Sequence, residues 1–278
     1  MRADDKITGT LSRAPWIAST RSHLAGFPLL TWGLLYVAIA PAAALNAQTP
    51  SVNFQSREDQ TSLLELYTSE GCSSCPPAET WLSGLKGAPG LWKEFVPLAF
   101  HVDYWDYLGW RDPWASRAFS DRQRAYTQLW HGDSVYTPGF VLNGREWRVW
   151  SRQKDGPSAS GTKSGVLRVS SADQQRWLVS FSPAGPGERD YEVHAALLGN
   201  DLISDVKAGE NRGRRLNHDF VVVAVTTCSL KSDGDKVGGE FRFDLSKEGR
   251  AKRLALAVWV TPLGRLEPLQ AVGGWLSH

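Results

Sequence analysis

Cys72 and Cys75, separated by Ser73 and Ser74, are the residues of this chain best placed by type and spacing to do chemistry. Two thiols in a C-x-x-C at the entrance to a helix can exchange electrons with a disulfide. The first, at the unpaired N–H groups and positive dipole end of the helix, is favoured as thiolate, the nucleophilic form. The second, one turn on, can attack the mixed disulfide that the first makes. Pro76 and Pro77 follow directly. They suit an opening helical turn, and they also remove two amide donors that would have steadied the thiolate. Such a pair has three readings: redox exchange, half of a zinc site, or a local structural disulfide. No second C-x-x-C and no H-x-x-x-H accompanies it, which weighs against zinc. A strand–turn–helix junction is a poor place for a bridge that only staples.

A second signal is Val135-Tyr136-Thr137-Pro138, followed by an apolar run and Asn143-Gly144. Proline at the opening of a strand gives up a ladder donor, so the position needs a reason; Asn-Gly is a two-residue hairpin turn, because both residues tolerate positive φ. His101 and Asp103 alternate on a strand and so share a face, near the end that looks into the ligand crevice of open α/β sheets. His101 is read either as a hydrogen-bonded core histidine or as a functional one, moving protons or joining Cys72 and Cys75 around copper or zinc. His131 is a lesser candidate. Tyr104, Trp105, Tyr107, Trp110 and Trp114 make five aromatics in eleven residues, suited to contacting a substrate beside the dithiol or to forming a mini-core under a long loop. Cys228, alone at the end of VVVAVTTC, reads as a small packed hydrophobe. The cluster Asn211 to Arg215 with Asn217, His218 and Asp219 reads as a docking loop working through Arg–carboxylate pairs, or as an exposed basic loop.

The elements that must position these groups follow from periodicity. Ser62–Thr68 and Phe95–Val102 are apolar runs of strand length, and Ala78–Leu85 and Ser116–Trp130 carry helical spacing. With the hairpin about Asn143-Gly144, the order is strand, helix, strand, helix, strand, strand, which predicts helices over a mixed sheet. Gln48–Thr61 is polar and reads as a tether; 153–165 is rich in Gly, Ser and Pro and reads as a linker. Beyond it, 166–278 alternates short β-type runs with turn clusters, the rhythm of a β-sandwich.

Composition bounds the function. With 278 residues, 31 Lys plus Arg against 29 Asp plus Glu, and 42% hydrophobic residues, the chain is globular and lacks the field of a nucleic-acid binder. Three cysteines do not make a disulfide scaffold. Lys6, Arg13 and Arg21 precede Leu24–Ala47, an uncharged apolar stretch that decays into alanines. Residues 1–47 read as a secretory signal peptide, the rival being an uncleaved membrane anchor. Either way the remainder lies outside the cytoplasm, periplasmic or secreted, where a dithiol can be held oxidised.

The combined pattern resembles the thioredoxin superfamily: C-x-x-C after the first strand, then Thr-Pro before a hairpin. The resemblance implies that Pro138 is a cis-proline against the dithiol and that Thr137 is the backbone clamp for an extended substrate. It also makes Glu65 a candidate buried acid relaying a proton from Cys75. LYTSEGCSSCPPAE, PLAFHVDYWD, Asp112-Pro113, Arg122 to Tyr126, Gly209 to Gly213, His218-Asp219-Phe220 and Gly273-Gly274-Trp275 narrow the resemblance to an exported bacterial family of unknown function (domain of unknown function twelve twenty-three). The expectation is an α/β thioredoxin-like domain at 58–152, a mixed sheet flanked by helices, followed by an all-β sandwich-like domain at 166–278. Its activity would be thiol–disulfide exchange, with Cys72 attacking, Cys75 resolving, and no cofactor beyond the dithiol. Its partners would be exported protein or peptide thiols and disulfides and a redox partner; a copper or zinc carrier and a non-catalytic binding module with a fixed disulfide are the alternatives.

Overall fold

A computed structural model describes residues 51–185, 190–233, 236–245 and 251–277. The proposed signal segment, 1–47, lies outside the described residues; among the latter no helix is long and apolar enough to cross a membrane. The elements are β1 (Val52–Gln55), β2 (Ser62–Thr68), α1 (Pro76–Gly84), β3 (Phe95–His101), α2 (Arg117–Leu129), β4 (Gly139–Leu142) and β5 (Arg145–Glu146). Then come β6 (Gly165–Ser171), β7 (Arg176–Pro183), β8 (Tyr191–Asn200), β9 (Leu202–Asp205), β10 (Arg215–His218), β11 (Val221–Ser229), β12 (Lys231–Asp233), β13 (Lys236–Arg242), β14 (Arg253–Pro262) and β15 (Gln270–Trp275). Local chemistry sets several boundaries. Ser116 caps α2, its hydroxyl accepting the Ala118 N–H at 3.3 Å. Asn143 and Gly144 take φ of 48° and 79° between β4 and β5, the left-handed pair a tight hairpin needs.

The fifteen strands of the described residues fall in three sheets. Eight run in the order β15-β14-β8-β11-β3-β2-β4-β5, five in the order β1-β6-β7-β13-β12, and β9 pairs with β10. This corrects the expected fold. The chain is predominantly β, with two α-helices among the described residues, and it does not build a helix-flanked thioredoxin sheet followed by a sandwich. Instead β3 runs parallel to β2 on one side and to β11 on the other, with Ala99 opposite Val221 and the Ala99 N–H donating to Phe220 O at 2.8 Å. One sheet therefore contains strands from both 58–152 and 166–278. The supposed tether also contributes, since β1 pairs antiparallel with β6. The reason lies in β3: every residue of FVPLAFH is buried, as befits an interior strand with neighbours on both edges. Local periodicity identifies such a strand but does not say which distant strand completes it.

Alternation along β8 and β14 produces two cores. Val193, Ala195, Leu197, Leu256, Val258 and Val260 face Leu167, Val169, Trp177, Val179 and Phe181 of the five-stranded sheet. Their neighbours Ala196, Leu198, Ala255, Ala257 and Trp259 join the other core, with Leu63 and Leu66 of β2, Leu82 of α1 and Phe119 and Tyr126 of α2. The elements that carry the cysteines thus pack on side chains from the far half of the chain.

Candidate dithiol site

At Thr68 β2 ends, and the chain turns through Ser69, Glu70 and Gly71 into Cys72. The turn is tied from several directions. The Gly71 N–H donates to Ser69 Oγ at 3.1 Å and the Glu70 N–H to Asp112 Oδ2 at 2.8 Å. A Cβ on Gly71 would stand 2.9 Å from Trp105 Cβ, so the close approach requires glycine. From the second half, the Asn211 amide donates to Glu70 O at 2.9 Å and Cys72 O at 2.8 Å, and Glu210 Oε2 accepts the Ser73 N–H at 2.8 Å. Asn211 is fully buried.

Cys75, not Cys72, caps the helix: α1 starts at Pro76, and the Cys75 carbonyl accepts the Ala78 and Glu79 N–H groups at 2.9 and 3.1 Å. Both cysteines are free thiols and buried, Cys72 being 1% exposed. Cys72 Sγ lies 3.1 Å from Ser74 Oγ and 3.8 Å from Thr137 O. The Thr137–Pro138 peptide bond is cis. The Trp105 indole N–H donates to Thr137 Oγ1 at 2.8 Å, leaving that hydroxyl its own proton to offer. The Cys75 thiol first, then the Ser74 and Thr137 side chains, donate to the Cys72 sulfur and outweigh its burial, lowering its pKa to about 6. Burial and the neighbouring Cys72 charge push Cys75 strongly upward. One sulfur is poised as thiolate while the other keeps its proton.

Behind the thiols lies a second polar cluster, buried within the fold. Thr68 Oγ1, on the Cys75 side, donates to Glu79 Oε1 at 2.5 Å. Glu79 Oε2 pairs with His218 Nδ1. His218 Nε2 stands 3.0 Å from Glu70 Oε1, an ion-pair distance off the hydrogen-bonding line. His101 Nδ1 shares a 2.7 Å hydrogen bond with Asp112 Oδ2, and the two imidazole rings meet edge to face at 5.2 Å. Burial alone would lower His218, but the charges of Glu79 and Glu70 override it and raise it to about 10. Burial would raise Glu79 and Asp112, yet their histidines hold both below the usual carboxylate value.

Over residues 63–261 the sequence matches the family described as Protein of unknown function (DUF1223). The chain belongs to this family. A crystal structure of a protein from Agrobacterium tumefaciens is similar to this DUF1223 chain, with a TM-score of 0.54 and 25% identity over 80% of this chain and 96% of that one. HBP35 of Porphyromonas gingivalis shares the fold, at TM-score 0.52 and 13% identity over 80% of this chain and 76% of that one. No curated protein matches significantly.

Among the residues singled out in this DUF1223 sequence, Cys72, Cys75 and Thr137 come together, with Trp105 and Tyr104 beside them. Tyr104 OH donates to Gln123 Oε1 at 3.1 Å, and burial raises the phenol. The Trp110 indole donates to Glu70 Oε2 at 2.6 Å, Trp114 is half-buried, and Tyr107 projects outward, 78% exposed. Glu65 sits elsewhere: its carboxylate accepts from Arg122 Nε and Nη2 at 2.8 and 3.0 Å, Tyr67 OH at 2.9 Å and Tyr126 OH at 2.7 Å. Those four hydrogen bonds tie β2 to α2, which makes Glu65 a structural anchor. His101 groups with Glu79 and His218 instead of with the cysteines. His131 is an exposed loop residue, and Cys228 packs against the core between the eight- and five-stranded sheets. Docking of the second half onto the dithiol loop runs through Asn211, Glu210 and His218, with Arg214 Nη1 donating to Asn211 Oδ1 at 2.7 Å, whereas Arg215 pairs with Asp205 on the adjacent strand at 3.0 Å. Glu79 lies four residues past Cys75, one helical turn; Asn211 and His218 belong to the polar cluster read as a docking loop, but nothing local pointed them at the dithiol turn.

Proposed function

We propose that this DUF1223 protein is a thiol–disulfide exchange protein acting outside the cytoplasm on protein or peptide thiols and disulfides. The observation that supports it is the asymmetry of the pair, a Cys72 sulfur ringed by donors beside a Cys75 thiol that holds its proton. In the reducing direction, Cys72 S⁻ attacks one sulfur of a substrate disulfide, forming a mixed disulfide and expelling the other substrate sulfur as thiolate. Cys75 then gives up its proton to that leaving thiolate or to water. Its sulfur attacks Cys72 Sγ, releasing the second substrate thiolate and leaving Cys72–Cys75 oxidised. A redox partner returns the electron pair. The oxidising direction is the same sequence reversed. No cofactor beyond the dithiol enters. The substrate approaches along the exposed Ser73 and Ser74 and the Tyr136–Pro138 rim, with Tyr107 as the aromatic contact left free by the fold. The basic lead and apolar stretch before residue 48 support export, and the near-zero net charge of the remainder gives no attraction to nucleic acid.

The test is exchange with a disulfide-bonded test protein. Cys72→Ser is expected to abolish turnover, and Cys75→Ser to accumulate a mixed disulfide through Cys72. Full activity in Cys72→Ser would overturn the reading.

A further inference from the structure

Glu79, His101 and His218 come from α1, β3 and β10 and converge although their sequence positions span some 140 residues. A ring nitrogen of each histidine and a carboxylate oxygen of Glu79 lie within 4.8 Å of one another. All three side chains are buried, His101 fully so and His218 to 1% exposure. Two features separate this cluster from an ordinary buried ion pair. The first is His101 Nε2, which is buried and has no hydrogen-bond partner. With Nδ1 committed to Asp112, Nε2 is the nitrogen left for the cluster, and a buried ring nitrogen without a partner is costly unless something binds it. The second is the outer ring of carboxylates. Asp112 holds His101 from behind at 2.7 Å, and Glu70 stands 3.0 Å behind the far nitrogen of His218. Metal-ligating histidines are backed as His101 is by Asp112, the outer carboxylate setting the tautomer and ring orientation, while Glu70, off the hydrogen-bonding line, adds charge behind His218.

We propose that Glu79, His101 and His218 form a buried binding site for a divalent first-row transition-metal ion, zinc by preference. Two imidazoles and a carboxylate are a donor set suited to zinc. Three carboxylates around two imidazoles supply the negative charge that offsets a dication. The burial of all three ligands makes the site a structural clasp between α1, β3 and β10, closed to substrate and separate from the two sulfurs. The inference does not depend on the dithiol being redox-active.

The experiment is metal analysis of the full chain, purified reduced, stripped with chelator, and titrated with Zn²⁺ and with Co²⁺ as a spectroscopic substitute. The expected result is one equivalent per chain for the wild type and equally for the Cys72→Ser/Cys75→Ser double variant. Bound cobalt should show ligand-field bands without a thiolate charge-transfer band. His101→Gln should lose the equivalent. Asp112→Asn, which keeps all three ligands, should weaken binding roughly 10–100-fold, which also guards against a ligand variant that fails to fold. Wild-type protein that takes up no metal at micromolar free Zn²⁺ would overturn the proposal. So would binding that survives His101→Gln or that disappears with the cysteines.

Discussion

At the scale of single residues, Cys72 is set apart by what donates to it. The C-x-x-C spacing made both thiols legible, yet the expected source of activation, the helix terminus, belongs to Cys75 as the N-cap. The thiolate of Cys72 rests on the Cys75 thiol and the hydroxyls of Ser74 and Thr137. A thiol with a lowered pKa is ionised above that pKa, so alkylation of Cys72 is expected to be fast above about pH 6 and to fall tenfold per pH unit below it. A midpoint at or above about 8.5, the value of a free cysteine, would contradict the donor arrangement. Thr137→Val removes one hydroxyl donor and should raise the alkylation midpoint by on the order of one pKa unit, ~1.4 kcal/mol; an unmoved midpoint would show that this hydroxyl does not reach the sulfur. Thr137 and Pro138 were readable beside their hairpin, whereas the role of Trp105 in orienting the Thr137 hydroxyl needed tertiary contact.

At the scale of elements, the turn between β2 and α1 is held by a segment from the far side of the sequence. Asn211 satisfies two buried carbonyls, those of Glu70 and Cys72. Asn211→Ala leaves Glu70 O unpaired and Cys72 O with only the Cys75 N–H at 3.3 Å, so urea unfolding should show a loss of about 1–3 kcal/mol, accompanied by a shifted Cys72 alkylation midpoint. An unchanged midpoint would mean that the loop keeps its shape unaided. The buried Glu65–Arg122 pair makes a complementary case. Arg122→Ala strands a carboxylate that is fully buried on β2, with an expected cost of about 3–5 kcal/mol; a loss under 1 kcal/mol, measured the same way, would show that Glu65 has found another partner or a proton. Most strands and both helices were readable from period and punctuation, because those are local properties. β1, β9, β10, β12 and β15 were not: each is short, β12 falls in a run that read as a turn cluster, and β1, β9 and β10 are largely polar or partly exposed, so that only pairing with another strand makes them strands.

At the scale of the whole molecule, the division of labour expected from the sequence gives way to one shared sheet. Parallel pairing of β3 with β11, and a core that mixes Leu66 and Leu82 with Ala196, Leu198 and Trp259, tie the cysteine-bearing elements to the second half. The linker at 153–165 looked like a boundary because composition marks where the chain is irregular, not where contacts stop. The full chain is expected to unfold in a single cooperative transition, and a fragment of residues 51–165, stripped of β11 and about a third of its core, to lack one. A cooperative melt of that fragment would contradict the shared-core account. The fold thus serves the site by bringing Asn211, Glu210 and His218 against a turn whose two cysteines were visible from the start. The measurement that bears most directly on their function is a redox titration of the chain in glutathione buffers, with thiol alkylation read by mass. Exchange chemistry predicts a reversible two-electron transition of Cys72–Cys75 between roughly −120 and −270 mV. A pair that stays oxidised to below about −300 mV would mark a structural bridge and contradict it.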